Sequence, residues 1–235
     1  MNNSYSKDTN LVLLFKSPQN SKRRLAEEIG DFATTAACLL WECALQDIKD
    51  WQGPSWFSPA TFADHIWLND RLGKDVHVIP QKTGNLGERI NQVDQALRSK
   101  KISKIIYIGT DCPELNLDYI KDAATQLDKH DAIFGPALDG GVVLMGSRRP
   151  WPDLRKLQWS TDQLRDNLVN TCKLSGWTYS HLQTLSDIDS TKDLLAALTD
   201  LESTKRVTRK NLINWVTEHI DIIQGKKKPL NLEMK

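Results

Sequence analysis

Lys104-Ile105-Ile106-Tyr107-Ile108-Gly109-Thr110-Asp111-Cys112-Pro113 is the stretch on which the reading of this chain turns. Ile105 to Ile108 are β-branched and aromatic, and their unbroken apolar run predicts a strand buried on both faces. Gly109 and Thr110 leave the strand, and an isolated acid follows. An open α/β sheet places its ligand site outside the C-terminal ends of its strands. Asp111 therefore stands where a carboxylate can meet a ligand or hold a divalent cation against phosphates. Capping of the next helix is the plainer role for it.

Working outward, Leu11 to Phe15 is a second continuous apolar run, suited to a central parallel strand. Lys16 to Ser21 reads as a loop. From Lys22 a helical pattern runs through Ala26, Ile29, Ala33, Ala36 and Leu40, interrupted at Gly30. Ser55–Ser58 and Val76–Ile79 are predicted strands, the latter stopped by Pro80. Leu86, Ile90, Val93 and Leu97 form one helix stripe. Further helices are expected near 62–68 and 117–129, and ahead of Leu168 and Leu201. Strands are expected at 131–134, 142–145 and 179–182. Strands alternating with helices imply βα units: an α/β, Rossmann-like three-layer sandwich around a mostly parallel mixed sheet. The less regular stretch after Gly141 predicts one antiparallel strand. The expected organisation is a loose segment 1–9, one domain over 10–205, an added helix over 206–223 and a tail over 224–235.

Composition narrows the partners. Lys and Arg number 31 against 30 Asp and Glu, a net charge of +1. That balance excludes a dedicated nucleic-acid surface but leaves room for a local basic pocket. No apolar run approaches the roughly 18 residues of a membrane span. The N-terminus lacks the apolar centre of a signal peptide, so a cytoplasmic protein is expected. Cys38, Cys43, Cys112 and Cys172 match no zinc-site spacing, and a reduced compartment is expected.

Several other residues can carry chemistry. Lys16, Lys22 and Arg24 cluster after the first strand, as a charged surface or as a diphosphate clamp near a helix N-terminus. Gly87 and Arg89 lie in a second small-and-charged turn, where Arg89 can reach a phosphate or pair locally. Asp139-Gly140-Gly141 reads as a tight turn or as a place where backbone approaches a ligand, with Asp139 touching sugar, metal or acceptor. Asp187 and Asp189 flank Ile188; an extended backbone puts both acids on one face and Ile188 in the core. Either acid can instead cap the next helix. Trp159 precedes Ser160-Thr161 and can line a pocket. The five histidines show no ligand spacing. Neither a Walker A sequence nor a GxGxxG fingerprint is present.

Together these segments resemble the DUF2064 family of the GT-A nucleotide-diphospho-sugar transferase superfamily. The resemblance spans roughly residues 11–200. It is carried by Phe15-Lys16-Ser17-Pro18 with Lys22-Arg23-Arg24-Leu25, by Asn85-Leu86-Gly87-Glu88-Arg89, and by Ile108-Gly109-Thr110-Asp111-Cys112-Pro113. Gly135 to Gly141, Trp159-Ser160-Thr161 and Asp187-Ile188-Asp189-Ser190-Thr191 complete the ordered set. Here the loop before Lys22 is shorter than is usual in the family, Arg23 stands for threonine, and Val142-Val143 replaces an aromatic pair.

The resemblance implies a GT-A fold and a glycosyltransferase using a nucleotide-diphospho-sugar donor and an acceptor. Asp111 and Asp189 would hold Mg2+ or Mn2+, with Lys16, Lys22, Arg24, Gly87 and Arg89 near the diphosphate. Asp111 and Asp139 are the catalytic candidates. Gly140, Gly141, Trp159, Ser160 and Thr161 would form the donor or acceptor pocket. Nucleotidyl transfer to a phosphorylated sugar or cofactor precursor is the rival chemistry, and a nucleotide-sugar-binding protein without catalysis is the rival outside enzymes. The last helix, through Trp215, can serve a partner interface or a homo-oligomer.

Overall fold

The computed structural model describes residues 8–226; the expected loose start before Asp8 and the tail after Lys226 lie outside the described residues. β1 (Asn10–Phe15) and β3 (Ile105–Ile108) lie side by side at the centre of one sheet, and β2 (Ser55–Pro59) pairs with β1 on the outer side. Both of these pairings are parallel. β4 (Ala132–Pro136), β5 (Val142–Ser147) and β6 (Tyr179–His181) continue the sheet in the order β2-β1-β3-β5-β4-β6.

β5 runs antiparallel to both neighbours, because the turn at Asp139-Gly140-Gly141 returns the chain beside β4. The antiparallel strand expected after Gly141 is thus β5. The expected strand 76–79 contracts to a single bridge, Val78 to Phe57. Backbone bonds run from Phe57 N–H to the His77 carbonyl and from Ile79 N–H to the Phe57 carbonyl, and Gln81 N–H bonds the Pro59 carbonyl beyond Pro80.

Alternation along the strands divides the core in two. Leu11, Leu13, Ile106, Ile108 and Leu144 face one side. There they meet α2 (Phe32–Asp50), α3 (Phe62–Leu72) and α5 (Leu117–Leu127), with Trp41, Leu68 and Ile120 in the layer. Val12, Ile105, Tyr107, Phe134 and Met145 face the other side, toward α4 (Leu86–Ser99) and α6 (Leu164–Leu174). Strands buried on both faces explain the near-continuous apolar runs in the sequence.

A third apolar cluster joins α2 to α1 (Arg23–Ile29), α7 (Thr191–Asp200), α8 (Val207–Glu218) and α9 (Ile220–Ile223). Gly30 ends α1 at φ +59, and α2 restarts at Phe32. Trp215 is half-buried in this cluster, its ring stacked on His219 at 5.0 Å. No helix among the described residues is long and apolar enough to cross a membrane. All four cysteines are free.

Candidate active site

A cleft of about 830 Å³ opens at the C-terminal ends of β1 and β3. Asp111 reaches it from the loop after β3, and Lys16, Lys22 and Arg24 reach it from the loop and helix after β1. Asp189, Arg89, Trp159 and Ser160 complete the expected residues that line it. Gly87, Asp139, Gly140, Gly141 and Thr161 are not among the residues lining the cleft.

Backbone bonds bring the two acidic loops together. Ile188 N–H donates to the Asp111 carbonyl at 2.9 Å, and Ser186 N–H donates to Glu114 Oε1 at 2.6 Å. Ile188 is 1% exposed, so Asp187 and Asp189 flank a core anchor as their spacing predicts. Neither acid caps α7. Ser190 does, in a reciprocal capping box with Asp193, which leaves Asp189 free to turn toward the cleft.

The cationic loop is held from below by Asp64, a buried acid that the sequence patterns do not mark. Its Oδ1 accepts from Ser17 N–H at 2.8 Å and Ser17 Oγ–H at 2.7 Å, and its Oδ2 accepts from Thr61 Oγ–H at 2.7 Å. Burial alone would raise this carboxyl, but the hydrogen bonds from Ser17, Thr61 and Asn20 carry it below its ordinary value.

Lys22 sits at the centre. Its Nζ lies 2.7 Å from Asp111 Oδ1 and 3.2 Å from Asp189 Oδ1, and it also donates to the Ile188 carbonyl. The Lys22 side chain is 4% exposed, whereas those of Asp111 and Asp189 are 48% and 44% exposed. Burial acts to lower its pKa, yet the charges of Asp111 and Asp189 raise it above the usual lysine value. Arg24 approaches Asp189 Oδ2 at 3.6 Å. Arg89 Nε donates to the Gly84 carbonyl at 2.8 Å. Lys16, Arg23 and Arg89 make no ion pair among the described residues.

The opposite wall is hung from α4. Asn85 caps that helix in a capping box with Glu88 and donates its amide to the Arg155 carbonyl at 2.9 Å. Asn91 Oδ1 accepts from Leu154 N–H at 2.8 Å, and Asp94 Oδ2 accepts from Trp151 N–H at 3.1 Å. This segment delivers Trp159, whose Nε1 donates to the Leu154 carbonyl, and Ser160, at φ 63. Three non-glycine residues take a positive φ among the described residues, and two of them, Lys22 and Ser160, line the cleft. Such strain persists only where its surroundings over-determine it, and it gathers at functional sites.

The turn expected to approach a ligand approaches protein instead. Asp139 Oδ1 accepts from Gly141 N–H at 2.8 Å. Gly140, at φ +89, lies so close to the Asp162 carbonyl that a Cβ there would stand 2.0 Å from its oxygen. Asp139 still acts electrostatically, because Asp187 feels it. The Asp187 carboxyl is pushed up to about 6, by burial first and then by Asp139, Asp189 and Asp111.

That shift has a pH signature. The folded protein keeps this proton to about pH 6, whereas an unfolded aspartate releases it near pH ~4. The native state binds more protons between these values, so stability falls as pH rises through that window. Solvent screening of a half-exposed group reduces the effect to about 1 kcal/mol. Asp187→Asn is therefore expected to stabilise the protein by about that amount at pH 7.5 and by nothing near pH 4. Urea unfolding at the two pH values measures this; superimposed curves at pH 7.5 would refute it.

The expected Mg2+ or Mn2+ seat was the Asp111–Asp189 pair. In the structure the oxygens of that pair which face each other already share the Lys22 ammonium. Among the described residues no group of three or more His, Cys, Asp or Glu is arranged to hold a metal ion. As folded, this donor set does not fit an open divalent site.

The sheet order and the cleft beyond the strand ends define a three-layer α/β protein with a mixed central sheet. The model of the family described as "Uncharacterized protein conserved in bacteria (DUF2064)" matches residues 45–161, and the chain belongs to that family.

Among solved structures, a protein from Desulfovibrio desulfuricans G20, provisionally described as a nucleotide-diphospho-sugar transferase, superposes with a TM-score of 0.83. It is 21% identical, over 92% of this chain and 97% of that one. A cytidylyltransferase from Leptospira borgpetersenii gives a TM-score of 0.54 at 13% identity, over 94% and 98%. The 4-diphosphocytidyl-2C-methyl-D-erythritol synthase of Anaerococcus prevotii gives 0.52 at 8% identity, over 83% and 99%. No curated protein matches the chain.

Proposed function

We propose that this protein is a glycosyltransferase that takes a nucleotide-diphospho-sugar donor into the cleft. The charge of that cleft carries the reading. Lys16, Lys22, Arg23, Arg24 and Arg89 line it against only Asp111 and Asp189, in a chain whose net charge is +1. Basic groups gathered at a helix N-terminus beyond strand ends suit a diphosphate.

In this reading Arg24, Arg89, Lys16 and Arg23 bind the diphosphate and stabilise the charge that develops as the sugar–phosphate bond breaks. Leu86 and Trp159, both lining the cleft, offer apolar surface to a base or sugar ring. Asp111 and Asp189 are the two acids that line the cleft, and an acceptor hydroxyl would meet its proton acceptor there. Lys22 keeps Asp111 and Asp189 in place.

The test is a titration of the protein with nucleoside diphosphates, triphosphates and nucleotide sugars, read by thermal shift and calorimetry. A diphosphate-bearing ligand is expected to stabilise the fold. Arg24→Glu and Arg89→Glu are each expected to weaken it by about tenfold or more, the scale of one charge-assisted contact. A panel without any nucleotide response would overturn the reading. Release of pyrophosphate from a triphosphate, instead of a nucleoside diphosphate from a sugar donor, would reassign the chemistry to nucleotidyl transfer.

A further inference from the structure

We infer that Lys22 is this protein's resident counter-ion: its ammonium occupies the seat between Asp111 and Asp189, and a divalent cation alone does not bind there. This rests on the reading of the cleft given above only in that the same acids line it.

Three observations carry it. First, an ammonium has three N–H donors, and three oxygens converge on this one: Asp111 Oδ1 at 2.7 Å, Asp189 Oδ1 at 3.2 Å and the Ile188 carbonyl. The donors are saturated, and the two carboxylate oxygens that face each other are both engaged by the ammonium. Second, the Lys22 side chain is 4% exposed while both acids are about half exposed. The cation is the inner member of the trio and the carboxylates are its cover.

Third, Lys22 takes φ 53 and ψ 43, in the left-handed region, immediately before α1. A non-glycine residue there costs energy, and the surrounding contacts must hold it. Here the contacts are its own ion pairs. A hard cation competes for the same carboxylate oxygens, so removing the ammonium should create the cation site that its presence denies.

The experiment uses Mn2+ alone, without nucleotide, followed by electron paramagnetic resonance and calorimetry on the full chain. Wild type and Asp111→Asn are expected to respond alike and weakly. Lys22→Met, which keeps the apolar stem and removes the charge, is expected to bind Mn2+ roughly tenfold more tightly or better. Adding Asp111→Asn to Lys22→Met should abolish that gain. Lys22→Gln serves as the second variant, and circular dichroism checks that each one folds.

Two results would overturn the inference: an Mn2+ site in wild type that Asp111→Asn removes, or Lys22 variants that fold yet gain no site. The comparison of wild type with Asp111→Asn decides the matter even if neither Lys22 variant folds. Because no nucleotide is present, failure of the nucleotide titration leaves this result intact, and the converse also holds.

Discussion

Arg209→Met is expected to cost about 3 kcal/mol or more of folding stability, although the residue lies nearly a hundred positions after Asp111. Its guanidinium is 1% exposed and bonded on every side. Nη2 donates to Asp47 Oδ2 at 2.5 Å and to the Leu115 carbonyl at 2.8 Å. Nε donates to the Pro113 carbonyl at 3.0 Å, and Nη1 donates to the Cys43 carbonyl at 2.8 Å. Removing the charge takes the side-chain donor from the Pro113 and Leu115 loop carbonyls and leaves the buried Asp47 to Arg206 alone.

The consequence reaches the cleft. Pro113 and Leu115 belong to the loop that begins at Asp111, so α8 props that loop from behind. Urea unfolding measures the loss. Asp47→Asn added to Arg209→Met should recover part of it, because the unpaired carboxylate is then gone. A single variant as stable as wild type would remove α8 from this bracing role.

Gly87→Ala is expected to cost about 2–3 kcal/mol, and to do so by packing rather than by loss of a phosphate contact. The family resemblance implies a place for Gly87 near the diphosphate. In the structure it lies in the first turn of α4, and an added Cβ would stand 2.0 Å from the Leu154 carbonyl oxygen and 2.6 Å from Trp159 Nε1. A backbone carbonyl cannot swing aside, so the 154–159 segment and Trp159 with it must move off the helix.

Gly109, which lines the cleft, supplies the control. A Cβ there would find only Asp111 N, at 4.0 Å. Gly109→Ala should stay within about 0.5 kcal/mol of wild type. Thermal unfolding of the two variants checks the contrast; equal stability for both would show that the close approach at Gly87 is not a constraint.

Most of the scaffold was legible because it depends on local pattern. The runs at 11–15 and 105–108 are apolar without alternation because both faces of those strands are covered, and Ile90, Val93 and Leu97 follow one buried helix face, whereas Leu86 at its start is exposed in the cleft. Val76–Ile79 lies beside β2 as its pattern suggests, but it pairs there through the single bridge Phe57–Val78. Asp139-Gly140-Gly141 read correctly as a turn, but the body against which Gly140 packs is the Asp162 carbonyl, a partner more than twenty residues away.

By itself, then, the order of residues determined most of the strands and helices, Val76–Ile79 apart, that one strand would reverse, and that an acid would stand beyond β3. Those are properties of periodicity, turn chemistry and chain direction, which neighbours in sequence set. Only the tertiary structure decided that the Lys22 ammonium lies between Asp111 and Asp189, and that Asp64 and Arg209 hold the loops around them. Charges attract across space without regard to sequence separation, and a buried side chain takes its partners from whatever the fold brings within about 3 Å.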